Sequence, residues 1–278
     1  MWAVIGGSGF EKFDGFETLE ELSVDTPFGK ASSGLRRVKI GDNEALFLSR
    51  HGAHHELLPT EVNYRANIWA LKKHGAKAIL SFSAIGSLQK ELKPGDLVVP
   101  DQYMDRTKGI RKHTFCGEGV VGHMSLAKPI CPEFKETLQG LVGGYDFDTH
   151  FGKTYVCIEG PNFSTAAESN MYRQWGADII GMTNYPEFAL AREAGLSYGP
   201  CCFVTDYDCW DDSIPHVTLE AVLEVMRNNN SKAFQIAKDM IAKPAPTTAA
   251  DQGLKFGVMT PPEAIPASAK EWLDVLRN

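Results

Sequence analysis

No apolar stretch of this chain approaches the roughly 20 consecutive residues that a membrane-crossing helix needs. No cluster of lysine and arginine stands out either, and the formal net charge is −7. These two features argue against a bilayer or a nucleic-acid polymer as partner. A basic leader with an apolar core and a small-residue cleavage site is missing ahead of the first strand-like run, so no secretory signal is expected. The six cysteines, Cys116, Cys131, Cys157, Cys201, Cys202 and Cys209, form no C-x-x-C pair, and several sit in apolar runs. They read as reduced, mostly buried thiols of a cytoplasmic protein. His51, His54 and His55 cluster without a cysteine or carboxylate at ligand spacing, so no metal is expected. Internal repeats are also lacking.

What is present is ordinary globular composition: 278 residues, 43% hydrophobic and 23% charged, enough for one large domain or two small ones. Short apolar runs at 2–5, 45–49, 77–83, 97–100, 154–158, 178–182 and 198–204 read as strands. Helical periodicity covers 61–74 (with Thr60 as cap and Gly75 as stop), 132–141, 165–175, 187–194 and 219–241. The polar, glycine-punctuated stretch 101–122 reads as a long loop. Residues 243–250 read as a flexible spacer, followed by a last helix over 267–277. The expected organisation is one unit over 1–242, with 243–278 as a spacer and helical tail packing on it or on a neighbouring subunit.

The chemistry-bearing residues gather at strand ends. Gly6-Gly7-Ser8-Gly9 follows the first strand at once. It is not the G-x-G-x-x-G dinucleotide pattern, but successive amides and the Ser8 hydroxyl suit a small oxyanion. Arg50, a permanent planar cation, and His51 close the second of these runs. Ser83-Ala84 and Thr183 add small residues and hydroxyls at two more, where ligands of open α/β sheets collect. Phe163 and Ser164 lie on a turn before a helix. Asp206 and Asp208 end the buried run 198–204. Two carboxylates two residues apart in a partly dry place are expected to raise one another's pKa, so that one holds a proton. A donor beside an acceptor matches the edge of adenine, whose N7 accepts and whose amino group donates.

Several longer stretches then occur in one order. They include Gly6–Gly9, Ser49–Gly52, Val62–Leu71, Gly86–Leu88, Pro94–Asp96, Asp101-Gln102, Glu159–Pro161, Gly181–Thr183 with Pro186-Glu187, and Thr205–Asp208. Over roughly 2–240 the chain resembles the 5′-methylthioadenosine phosphorylases, within the trimeric purine nucleoside phosphorylase family. The resemblance implies a single α/β domain with a mixed, barrel-like sheet flanked by helices, and a homotrimer. It implies phosphorolysis of a nucleoside, with inorganic phosphate as co-substrate and no cofactor. It implies phosphate at Ser8, Arg50, His51, Ser83, Ala84 and Thr183, and Met182 on the ribose. Asp206 would face purine N7 as the catalytic acid, and Asp208 the amino group, with Phe163 and Ser164 lining the base. Leu219 and His123, the latter from a neighbouring subunit, would form the alkylthio pocket.

The chain departs from the family in two places. Asn162 and Ala166 replace two arginines of a usual Gly-Pro-Arg-Phe-Ser-Ser-Arg, and Asn184-Tyr185 replace small or β-branched residues. Tyr185 is expected to reshape the sugar side of the pocket. Other readings are a phosphorylase of adenosine, inosine or methylthioinosine, a hydrolytic nucleosidase, and a non-catalytic nucleoside-binding protein. Asp at both 206 and 208 favours 6-aminopurines, because a 6-oxopurine presents an acceptor where adenine presents a donor.

Overall fold

The structure, a computed structural model, describes residues 1–11, 13, 15–211, 213 and 219–278, except for the side chains of 219–223, 250 and 251. Its nine strands are β1 (Trp2–Gly6), β2 (Phe16–Leu22), β3 (Leu35–Ile40), β4 (Asn43–Ser49), β5 (Ala78–Ser87), β6 (Leu97–Arg106), β7 (Thr149–Ile158), β8 (Ile179–Gly181) and β9 (Ser197–Asp206). They form one sheet in the order β2-β3-β4-β1-β5-β8-β7-β6-β9. β9 returns to pair with β5, from Ala78↔Ser197 to Gly86↔Asp206, and so closes five strands into a barrel. Pairing is mixed: β1 runs parallel to β4 and β5, whereas β8 is antiparallel to β5, and β6 to β9. The expected mixed, barrel-like α/β fold is what the chain adopts.

Among the described residues seven α-helices flank the sheet: α1 (Tyr64–Lys73), α2 (Pro132–Leu141), α3 (Ala166–Gln174), α4 (Asn184–Glu193), α5 (Leu219–Ile241), α6 (Leu254–Gly257) and α7 (Ala267–Arg277). α1, α4 and α7 cover one face through Ile68, Trp69, Phe188, Leu190, Trp272 and Leu273. α2 and α5 cover the other through Phe134, Leu138, Ala233, Ile236 and Met240. Inside the barrel pack Ile85, Val98, Tyr155, Cys157, Cys202 and Val204. Burial is close packed: a Cβ on Gly199 would stand 2.2 Å from the Phe134 ring, so β9 and α2 touch only because that position is bare. Among the described residues no helix is long and apolar enough to cross a membrane.

The structure moves several expected boundaries, each for a local reason. α1 begins at Tyr64 and not at Glu61, because the Asn63 side chain, not Thr60, takes the first free amide, that of Ala66, at 3.2 Å. Residues 101–106, expected as loop, continue β6, pairing with β7 from Gln102↔Thr154 to Arg106↔Ile158. Barrel pairing supplies ladder partners that the polar sequence does not advertise. The spacer is also anchored: the Lys243 carbonyl accepts from Trp2 Nε1 at 2.9 Å, and Thr248 Oγ1 donates to Glu133 at 2.7 Å. Beyond it, α7 lies on α1 of its own chain, where Trp69 Nε1 donates to the Trp272 carbonyl at 3.2 Å.

Candidate active site

A cavity of about 1160 Å³ opens at the carboxyl ends of β1, β4, β5 and β9, and its wall continues along α5 through Met226, Asn230 and Phe234. At one end sits Arg50, fully buried after β4. Its Nε and Nη2 make a two-pronged pair with Glu187 at 2.6 and 2.8 Å. Nη1 reaches the Phe82 carbonyl at 3.0 Å, and Nη2 also reaches Ser81 Oγ at 2.7 Å. Glu187 in turn accepts from Ser81 Oγ at 2.6 Å and from the Tyr198 hydroxyl at 2.9 Å. A buried ion pair stabilises only when further bonds satisfy much of what remains of both charges, and here they engage both Glu187 oxygens and four of the five guanidinium N–H groups. Burial works against the Arg50 cation, but the charge and hydrogen bonds of Glu187 outweigh it and hold its pKa above the usual value. Gly7 completes this corner. A Cβ there would lie 2.3 Å from Arg50 Nη1 and 2.6 Å from the Phe82 carbonyl.

His51 is different in kind. Burial, and then the neighbouring Arg50 cation, push its pKa down to about 4, so the imidazole is neutral near pH 7. Its Nδ1 lies 2.9 Å from the Leu57 carbonyl, which can only accept. The proton therefore sits on Nδ1, and Nε2 carries the lone pair. The His51 ring stacks on His55 at 4.8 Å, and His55 Nδ1 binds Glu11 at 2.7 Å. Ser8, Ser83, Ala84 and Thr183 line the same part of the wall. Thr183 occupies the cap position of α4, yet its side chain makes no cap hydrogen bond.

At the other end Asp206 terminates β9. Its Oδ1 accepts from the Asp208 amide at 2.8 Å and its Oδ2 from Thr205 Oγ1 at 2.7 Å. Asp208 follows with φ of 51°, a left-handed conformation that Asp tolerates better than most residues. Gly86 leaves room for the pair: a Cβ there would come within 3.1 Å of Asp206 Oδ1 and 3.5 Å of Asp208 Cβ. Burial raises the pKa of Asp206, with the bonds from Thr205 and Asp208 opposing it. Burial also pushes Asp208 up to about 6, with the charge of Asp206 adding to the shift. Mutual repulsion, the cause expected from spacing, is thus the lesser one, because the left-handed turn presents an amide to Asp206 as well as a carboxylate. Among the described residues Asp208 Oδ2 and Ser164 Oγ are buried without a hydrogen-bond partner. A buried polar atom left unpaired costs about 1–3 kcal/mol, and both of these residues line the cavity. Between the two ends run Ile85, Ile158, Ile180 and Met182, an apolar middle with an exposed Phe163 at its rim.

A family model described as the phosphorylase superfamily matches residues 2–242. This chain belongs to that superfamily. It is 42% identical to S-methyl-5′-thioadenosine phosphorylase of Geobacter sulfurreducens, over 98% of this chain and 96% of the relative. The Rhodospirillum rubrum protein of the same name is 47% identical, over 86% of this chain and 81% of the relative. Among solved structures, a methylthioadenosine phosphorylase from an Antarctic soil metagenomic library superposes with a TM-score of 0.91. It is 42% identical, and the match covers 99% of this chain and 98% of that one. Methylthioadenosine phosphorylase from Schistosoma mansoni in complex with adenine gives 0.83 at 40% identity, covering 87% and 90%.

Within this member of the superfamily, eleven residues singled out from the sequence line one cavity: Ser8, Arg50, His51, Ser83, Ala84, Phe163, Ser164, Met182, Thr183, Asp206 and Asp208. Two others are not brought there. His123 lies on the loop after β6, its amide bonded to the Gly257 carbonyl at 2.9 Å, and does not line the cavity of its own chain. The side chain of Leu219 lies outside the described residues. Tyr185 corrects an expectation. Its backbone is non-helical, at φ −105° and ψ 132°, and the ring packs against His113 and Phe188, off the cavity wall. The sugar side of the cavity is therefore not reshaped by it. Asn162 and Ala166 are exposed and off the cavity wall.

Sequence reasoning gave no role to the second layer. Glu187 stands at a helix start and within the Pro186-Glu187 stretch of the resemblance, with no role read for it there; in the structure it fixes Arg50. Arg111, in the stretch expected as loop, is buried. It binds Glu159 at 2.6 Å and the carbonyls of Met182 and Tyr185 at 2.6 and 2.8 Å. It thereby ties the segment carrying Met182 and Thr183 to the end of β7. A charged residue inside an apolar helix start is a signal for Glu187; nothing in the sequence marks Arg111.

Proposed function

We propose that this chain catalyses phosphorolysis of 5′-methylthioadenosine, giving adenine and 5-methylthioribose 1-phosphate. The observation that carries this reading is the pairing, in one cavity, of a rigidly held cation at one end with two buried carboxylates of raised pKa at the other. Inorganic phosphate binds at Arg50, His51, Ser8, Ser83, Ala84 and Thr183. Neutral His51 accepts a hydrogen from a protonated phosphate oxygen. Met182 packs on the ribose. Asp208 Oδ2 accepts from the adenine amino group, and Ser164 and Phe163 line the base. The C1′–N9 bond breaks, and its electrons move to the purine while Asp206 donates a proton to N7. A phosphate oxygen then forms the new bond to C1′ from the opposite side. Positioning and charge carry the reaction, with no covalent enzyme intermediate. The same reading includes a cytoplasmic homotrimer with no cofactor, in which Leu219 and a neighbour's His123 enclose the methylthio group.

The deciding experiment is adenine release from methylthioadenosine with and without phosphate, alongside adenosine and inosine. Phosphate-dependent release with the highest kcat/KM for methylthioadenosine is expected. Release without phosphate would identify a nucleosidase, and nucleoside binding without release a non-catalytic binder.

A further inference from the structure

Asn184 is fully buried at the start of α4, one residue after Thr183. A buried amide must satisfy both its carbonyl oxygen and its NH2 group. Side chains from three barrel strands meet it. The Tyr103 hydroxyl of β6 lies 3.1 Å from Oδ1, and the Cys202 thiol of β9 lies 3.7 Å from the same atom. On the other side Nδ2 lies 2.9 Å from Ser83 Oγ of β5.

The neighbours decide which way the amide points. Tyr103 and Cys202 both keep their protons, burial having pushed each well up from its ordinary value. Both are donors and need an acceptor, so Oδ1 faces them and Nδ2 is left for Ser83. The bond from Nδ2 occupies a lone pair of Ser83 Oγ. No other hydrogen bond engages that oxygen among the described residues. The hydrogen of the hydroxyl is therefore free to turn toward the cavity, where Ser83 lies with Arg50 and Thr183.

We propose that Asn184 is a positioning residue for the anionic co-substrate: it accepts from Tyr103 and donates to Ser83, and so sets the Ser83 hydroxyl as a donor to phosphate. A free hydroxyl rotates among several partners, and ordering it on binding costs affinity that a fixed neighbour removes beforehand. The inference rests on reading this end of the cavity as the phosphate site.

Inorganic phosphate is the probe. Its affinity is measured by titration calorimetry, and its KM and kcat by adenine release. Both are compared in the unaltered chain, Asn184→Leu, Ser83→Ala and the double variant. Asn184→Leu is expected to weaken phosphate binding about 3- to 10-fold, the worth of one neutral hydrogen bond. The KM for the nucleoside and kcat at saturating phosphate stay essentially unchanged. In the Ser83→Ala background the same substitution adds nothing, because the two residues act as one. An equal loss in both backgrounds, or no loss with Ser83 present, overturns the proposal. Should Asn184→Leu not fold, Asn184→Thr, which keeps a hydroxyl for Tyr103 but falls short of Ser83, carries the same expectations. Phosphate binding without adenine release in the unaltered chain would sink the proposed reaction and leave the Asn184 comparison intact. Normal turnover with phosphate affinity indifferent to Asn184 would do the opposite.

Discussion

Asp206 and Asp208 carry the two clearest consequences at the scale of single residues. Asp206→Ala removes the group proposed to protonate the leaving purine. Its kcat is expected to fall about 10²-fold or more, the usual worth of a general acid; steady-state adenine release measures it, and an unchanged kcat would remove the assigned role. Asp208 acts through pH. Its folded-state pKa, near 6, lies above the ordinary value of 3.8, so the folded chain binds the proton more tightly than the unfolded one. The stability it contributes is full below the unfolded value and is lost as pH rises through about 6. Asp208→Asn should therefore raise the unfolding midpoint of the unliganded protein near neutral pH, and show no such advantage at about pH 4. Thermal melts across that range read the effect. The same variant should shift preference toward inosine, since an amide can donate to a 6-oxo group. The residues behind these predictions were legible because each stands at the end of an apolar run. Glu187, Arg111 and the tether from Asn184 to Ser83 were not. Their partners lie up to 137 positions away in the chain, and no local pattern encodes a bond across such a gap.

At the scale of elements, β9 is the most constrained. Every residue from Ser197 to Thr205 is buried, and Gly199 faces the Phe134 ring of α2 with no space for a side chain. Gly199→Val should force β9 and α2 apart and cost about 1–3 kcal/mol, as overpacking of a filled core does. Urea denaturation gives the value directly, and an unchanged midpoint would show that the contact gives way freely. Existence and type of most elements could be read from periodicity, and α2, α5 and α7 have the limits expected. Where the reading stopped short, pairing decided the outcome. β5, β6 and β7 extend past their apolar cores because barrel neighbours satisfy the polar ends. A sequence shows which side chains seek burial, but not which backbone groups will find a ladder.

At the scale of the whole molecule, the tail is part of the body. Trp272 and Leu273 of α7 pack in the same core as Ile68 and Trp69 of α1, and the spacer before them is bonded at two points. Trp272→Ala should cost about 3–5 kcal/mol, typical of emptying a buried aromatic site. If the tail unfolds with the rest, one cooperative denaturation curve should shift as a unit; a separate early transition would mean the tail is held only loosely. One strand then joins this architecture to the chemistry. β5 is hydrogen-bonded to β1 over its first half, to β8 at its end, and to β9 almost throughout. It carries Ser83 at the anion side and Gly86 under the two carboxylates. Three residues of extended chain span roughly 10 Å. In the proposed reaction the separation between anion and base is thus set by one short stretch of strand, paired along one edge with β9 and held at its two ends by β1 and β8.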